Sequence, residues 1–197
     1  TMYPHIEQMI FVKVATGIGA GIISGGRLHR GAQGTAGDLG HVAALNGGDT
    51  RCTCGNIGCL EAVASGPAIV RSLRERGMVV EDSGDLVRLA KAGDLMAATA
   101  IREAGREIGH VLATCVSLLN PSVIAVGGRL AQSAESLLAG IREVVYGRSL
   151  PLATGDLQIV ASRTAGHAGV IGAATMVVQH VLSVEQVEHQ LAAAAAG

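Results

Sequence analysis

Three observations in the sequence predict an α/β fold. In the second half of the chain, apolar runs alternate with helical patterns in strand–helix–strand–helix order, which builds an α/β sheet. One of these runs, Ser122–Val126 (SVIAV), is almost wholly apolar and short, as suits a strand buried on both faces. Near the start, two apolar runs separated by glycine-rich turns read as an antiparallel meander.

The meander comprises Ile10–Ala15, Ala20–Ile23 and a third short strand near Arg27–His29. Gly17, Gly19 and Gly21 are spaced like a dinucleotide fingerprint. That fingerprint requires a helix directly afterwards; here a strand and the Ser24-Gly25-Gly26 turn follow, which rejects it. Helical patterning resumes at Cys59 or Leu60. Gly66-Pro67 opens a second helix, with Ile69, Val70 and Leu73 at helical spacing. Asp85 is expected to open a short helix running to Ala92. Asp94 caps a long one running to about Leu119, with Leu95, Ala98, Ile101, Ile108, Val111, Leu112 and Cys115 on its apolar side. Asn120-Pro121 ends that helix. After SVIAV come Gly127-Gly128, a helix from about Ser133 to Tyr146, a strand Leu157–Ala161 and a helix Ala168–Leu182. The Ala-rich end, Leu191–Gly197, reads as frayed. The long helix and the SVIAV strand are expected to carry the main core. No internal repeat is visible.

A chain of 197 residues fits one domain or two small lobes. Its only aromatics are Tyr3, Phe11 and Tyr146, so the core is aliphatic and no aromatic platform exists for stacking bases or sugar rings. The net charge is −1, without a basic stripe, which gives no electrostatic reason to expect nucleic-acid binding by these residues. No apolar run reaches the roughly 18 residues of a membrane span. The start, TMYPHIEQ, lacks the basic and apolar regions of a signal peptide. The expected location is therefore the cytoplasm. The chain opens on Thr1, which reads as a piece of a longer protein.

Residues 31–60 are rich in glycine and small polar residues and show little periodicity. A loop of that length is uncommon unless it has a function. It contains three of the four cysteines, in the pattern His41-x10-Cys52-x-Cys54-x4-Cys59. Clustered cysteines without a secretion signal point to a metal rather than to disulfides. Three thiolates and one imidazole suit tetrahedral Zn²⁺, and a closed set of four ligands makes the site structural. Gly55 and Gly58 let the chain fold back between ligands. Cys115, on an apolar helix face, reads as core.

Gly37-Asp38-Leu39-Gly40-His41, followed by Cys52-Thr53-Cys54-Gly55-Asn56-Ile57-Gly58-Cys59-Leu60-Glu61, resembles the ROK family of bacterial sugar kinases and sugar-responsive repressors. The resemblance runs from the meander near Ile10 to the helix ending near Leu182. It implies an actin-like ATPase, ribonuclease H-like lobe with an antiparallel meander, a zinc-stapled loop and covering helices. The lobe would span residues 1–183 with its zinc loop at 31–61, and residues 184–197 would form a tail. By the same resemblance His41 ligates zinc and faces a sugar, and Glu61 touches sugar hydroxyls. Asp38 stands where the family usually has Glu. Carboxylates beside a metal-fixed loop are in any case suited to vicinal hydroxyls. Thr16 and Gly17 fall where the kinases cradle nucleotide phosphates, with Ala15 replacing a usual glycine. Gly127 and Gly128 match the adenosine motif.

Sugar kinases of this type place their general base in an Asn-Asp pair N-terminal to the meander, and no Asn-Asp pair occurs in this sequence. No catalytic residue is therefore assigned. The winged helix-turn-helix of the family's repressors would also lie N-terminal. Asp38, Ala15 and the tail from Val184 to His189 look more like the regulators. The expected function is the sugar-sensing lobe of a ROK-type transcriptional regulator with a structural zinc. The alternative is the C-terminal lobe of a glucokinase-like kinase, which alone would require ATP and Mg²⁺. Expected partners are a sugar or sugar phosphate, DNA only through a domain outside this chain, and further copies of the chain, because a lobe separated from its neighbour exposes apolar surface.

Overall fold

The computed structural model describes residues 6–162, 168–184 and 186–188. The reading of Leu191–Gly197 as frayed lies outside these residues. The chain forms two compact units, dividing between residues 163 and 164.

The first unit is built on a five-stranded sheet of order β3-β2-β1-β4-β5. β1 (Met9–Val14), β2 (Ile18–Ser24) and β3 (Arg27–His29) form the antiparallel meander. β4 (Val123–Gly127) and β5 (Gln158–Ala161) join parallel to β1 and to each other. β2 begins two residues earlier than the apolar run that signals it, because Gly19 and Gly21 pair with Lys13 and Phe11 despite offering no side chain. Alternation in β1 sends Ile10, Val12 and Val14 into the core and leaves Lys13 exposed. All five residues of β4 are buried, as its composition requires.

Between β3 and β4 lie a 3₁₀ turn (Leu39–His41) and the helices α1 (Leu60–Ala64), α2 (Gly66–Glu75), α3 (Ser83–Lys91) and α4 (Leu95–Leu119). α3 starts two residues before the expected Asp85. The Asp82 carboxylate accepts the amides of Gly84 and Asp85 at 2.7 and 2.8 Å, which makes Asp82 the cap. Asp94 caps α4 by accepting the Ala97 amide at 2.9 Å, and Asn120 ends that helix in the left-handed conformation. α4 supplies much of the core through Ile101, Ile108, Leu112 and Val116. Leu95, expected on that side, is 82% exposed. At 3.6 residues per turn it lies well around the helix from Ile101 and Ile108.

A second 3₁₀ turn (Leu130–Ser133) leads into α5 (Ala134–Arg148), which packs along α4 through Leu137, Ile141 and Val145. Arg102 and Arg106 of α4 both reach Glu143 of α5, at 2.9 and 3.0 Å. α6 (Pro151–Thr154) is a single turn that periodicity over longer windows does not register; Pro151 in its first turn is the local signal. The second unit contains α7 (Ala168–Val181). Its sequence carries no charge from Ala168 to Gln179. Among the described residues, no helix is long and apolar enough to cross a membrane.

Candidate functional site: a Cys3His cluster beside two carboxylates

The loop between β3 and α1 has little core of its own, yet backbone pairing gives it a defined path. Ala43 bridges Cys59, and the Leu60 amide donates to the Val42 carbonyl at 2.8 Å. These contacts bring His41, at the end of the first 3₁₀ turn, next to Cys59, which precedes α1. A second bridge joins Arg51 to Ile57. Within it the Cys52 amide donates to Asn56 O at 2.9 Å and the Gly55 amide to Cys52 O at 3.1 Å. That small knuckle turns Cys52 and Cys54 toward the same point.

The ligand atoms of His41, Cys52, Cys54 and Cys59 all lie within 4.8 Å of one another. Cys52 Sγ is 3.6 Å from His41 Nδ1, and Cys54 Sγ is 3.6 Å from Cys59 Sγ. Zn–S bonds of about 2.3 Å place tetrahedral sulfurs about 3.8 Å apart. The observed spacing therefore fits a zinc-sized ion with modest adjustment. Among the described residues this is the one such cluster, and all four cysteines are free thiols. Cys115 is buried on α4, as expected of a core residue.

The charges around the cluster conflict when only protons are available. Cys52 is drawn down to about 7, chiefly by the backbone amide of Cys54. Cys59 is pushed up to about 12, first by burial and then by the neighbouring thiols. His41 is raised by its hydrogen bond to Cys52, with the Asp38 and Glu61 carboxylates adding to this. A divalent cation removes the conflict, because a coordinating thiol gives up its proton outright. Zinc held by these four residues would fix the loop and leave no open position for water.

Glu61, in the first turn of α1, is half-buried, and its Oε2 accepts the Ile18 amide at 2.9 Å. Asp38 is exposed at the start of the 3₁₀ turn, and its carboxylate makes no capping bond. Asp38 and Glu61 both lie close enough to His41 to act on its imidazole electrostatically. The remaining sequence-derived candidates lie further along β1 and β4. Thr16 is exposed in the β1–β2 turn and lines an open cleft of about 810 Å³, together with Pro67, Arg71, Asp82 and Arg129. Gly17 lies against Glu61: a Cβ there would fall 2.5 Å from Oε2. Gly127 and Gly128 do not line the cleft. A Cβ on Gly127 would fall 2.7 Å from the Phe11 ring, and one on Gly128 would fall 2.4 Å from Val14 O. The Val14 backbone and a positive φ therefore already require glycine at 128, whereas at 127 a side chain would have to displace the end of the Phe11 ring. Sequence reading missed Arg71, Asp82 and Arg129 as cleft residues. Only Arg129, directly after Gly127-Gly128, carried a signal.

The ROK family model matches residues 3–180. The chain belongs to the ROK family. Among its relatives, the xylose repressor of Caldicellulosiruptor bescii is 34% identical over 193 residues, covering 90% of this chain and 48% of the repressor. The DNA-binding transcriptional dual regulator NagC of Escherichia coli K12 is 34% identical over 194 residues, covering 94% of this chain and 47% of NagC. Among solved structures, a ROK family glucokinase from Streptomyces griseus in complex with glucose and AMPPNP superposes with a TM-score of 0.75 at 31% identity, covering 87% of this chain and 61% of the enzyme. The chain spans about half the length of these two regulators. Its ROK lobe has the actin-like ATPase architecture of the ROK kinases.

Proposed function

We propose that this chain is the sugar-sensing lobe of a ROK-type transcriptional regulator, with a structural zinc held by His41, Cys52, Cys54 and Cys59. The observation that carries the sugar half is the placement of Glu61. One of its carboxylate oxygens, Oε2, is tied to the Ile18 amide, and the other has no protein donor among the described residues. A carboxylate held in this way is pre-organised to accept hydrogen bonds from vicinal hydroxyls. Asp38 and His41, on the same loop, supply further polar contacts, and Asp38 offers a shorter reach than the Glu usual in the family. The two repressors, each 34% identical, support the regulator reading, and DNA would be bound by a domain outside this chain.

A second reading, the C-terminal lobe of a glucokinase-like kinase, draws on the Streptomyces griseus structure and on the cleft beside Thr16. In that reading Thr16, Gly17, Gly127 and Gly128 would approach ATP with its Mg²⁺. Calorimetry of the zinc-loaded chain with xylose, glucose and N-acetylglucosamine, run beside an ATP-turnover assay of the longer protein containing it, separates the two. The expected result is sugar binding without sugar phosphorylation. Phosphorylation replaces the regulator reading with the kinase one, and absence of sugar binding removes both.

A further inference from the structure

The turn joining β1 to β2, Ala15–Gly17, lines the cleft through Ala15 and Thr16. Both of its ends are held from the same pair of helices. The Gly66 amide, at the start of α2, donates to Ala15 O at 2.9 Å. Glu61 Oε2, in the first turn of α1, accepts the Ile18 amide at 2.9 Å. α1 follows directly on the candidate ligand Cys59. The Glu61 carboxylate is also hemmed in by glycines from two segments. A Cβ on Gly17 would lie 2.5 Å from Oε2, and one on Gly40, next to His41, would lie 3.4 Å from the same oxygen. A single carboxylate oxygen thus sits where the cleft-lining turn, the metal loop and α1 converge.

The bond from the Ile18 amide to Glu61 is part-buried, and an amide there that loses its acceptor carries a share of its desolvation cost. The conformation of the turn therefore depends on where Glu61 is held. A ligand hydroxyl on the other carboxylate oxygen would restrict the same side chain, lowering the entropy cost of its bond to Ile18. Any such effect is reciprocal between the two sites.

We propose that Glu61 is a positioning residue that fixes the cleft-lining turn Ala15–Gly17 to the metal loop and thereby couples polyol binding beside the loop to the state of the cleft. The coupling half rests on the sugar-sensing reading above; the positioning half does not.

Amide hydrogen exchange at Ile18 in the zinc-loaded chain tests both halves, with the α4 amides of Ile108–Leu112 as internal reference. Glu61→Ala is expected to speed exchange at Ile18 by about tenfold while the α4 amides hold their rates, as loss of a charge-assisted hydrogen bond implies. Glu61→Gln keeps an oxygen acceptor of the same reach. It should restore Ile18 to near the native rate while weakening sugar binding in calorimetry. Gly17→Ala should displace the carboxylate and speed Ile18 similarly, and the double variant G17A/E61A should go no further than either single one. Whichever of xylose, glucose or N-acetylglucosamine binds should slow Ile18 in the native chain but not in Glu61→Ala. An unchanged Ile18 rate in Glu61→Ala overturns the proposal, as does a sugar that binds with measurable heat yet leaves Ile18 unaltered. If no sugar binds while Glu61→Ala still speeds Ile18, the sugar reading and the coupling half fall and the positioning half stands.

Discussion

Replacing Gly47 by alanine tests the architecture of the metal loop without touching a ligand. Gly47 is buried where the two arms of the loop meet, and a Cβ there would lie 2.4 Å from Gly58 O and 2.6 Å from Gly58 Cα. These are backbone atoms and cannot rotate away. A normal carbon–oxygen contact is about 3.3 Å or more, so Gly58 would have to retreat by about 0.9 Å. Gly58 accepts the Ala44 amide at 2.8 Å, donates to Thr50 O at 2.8 Å, and is followed immediately by Cys59. Metal–ligand distances tolerate only about 0.2 Å, so the required shift exceeds what the coordination sphere can absorb. Overpacking of this kind costs about 1–3 kcal/mol. Taking about 2 kcal/mol, zinc affinity should fall by about thirtyfold. The thermal midpoint of the zinc-loaded chain should fall by about 4–8 °C. Chelator competition and thermal unfolding measure the two effects. Gly19→Ala, on β2 with open space around it, serves as the control. Native zinc affinity and an unchanged midpoint in Gly47→Ala would refute the idea that the metal fixes the crossing of these two arms.

Cys54→Ala should release the metal and loosen residues 41–61 while α4 keeps its protection, because metal-binding energy here is folding energy; elemental analysis and hydrogen exchange report both, and undiminished metal content would refute the ligand assignment. Glu143 is held below the usual carboxylate range, first by Arg106 and then by Arg102. A carboxylate depressed in the folded state contributes stability above its unfolded pKa and loses it as the pH falls through the folded one. Glu143→Gln should therefore flatten the acid side of the stability curve, with no change in slope counting against the pair. The exposed Leu118, Leu150 and Leu152, together with the charge-free run of α7, lead us to expect self-association. A monomer in sedimentation at every concentration would contradict that.

Local chemistry made much of this protein legible from sequence. Glycines between apolar runs set the meander, a short and almost wholly apolar pentapeptide read as a buried strand, and Asp94 and Asn120-Pro121 marked the ends of α4 because caps and breakers act within one helical turn. The Cys3His spacing picked out four side chains that do cluster in the fold, in an arrangement that could hold a metal, because the ligands sit close together in one loop. Tertiary structure alone decided what distant segments share. Leu95 satisfies the helix's composition but points away from the core, which depends on rotation about an axis and on what packs there. Gly127 and Gly128 could be read as room for a ligand, but Val14 O, more than 110 positions earlier, already requires glycine at 128. Glu61 could be named as a carboxylate near a metal. That one of its oxygens belongs to Ile18, 43 residues away, follows only from β2 and α1 meeting in space. A sequence records which groups are present and how close neighbours arrange themselves, whereas a hydrogen bond between distant residues exists only once the whole core has brought them together.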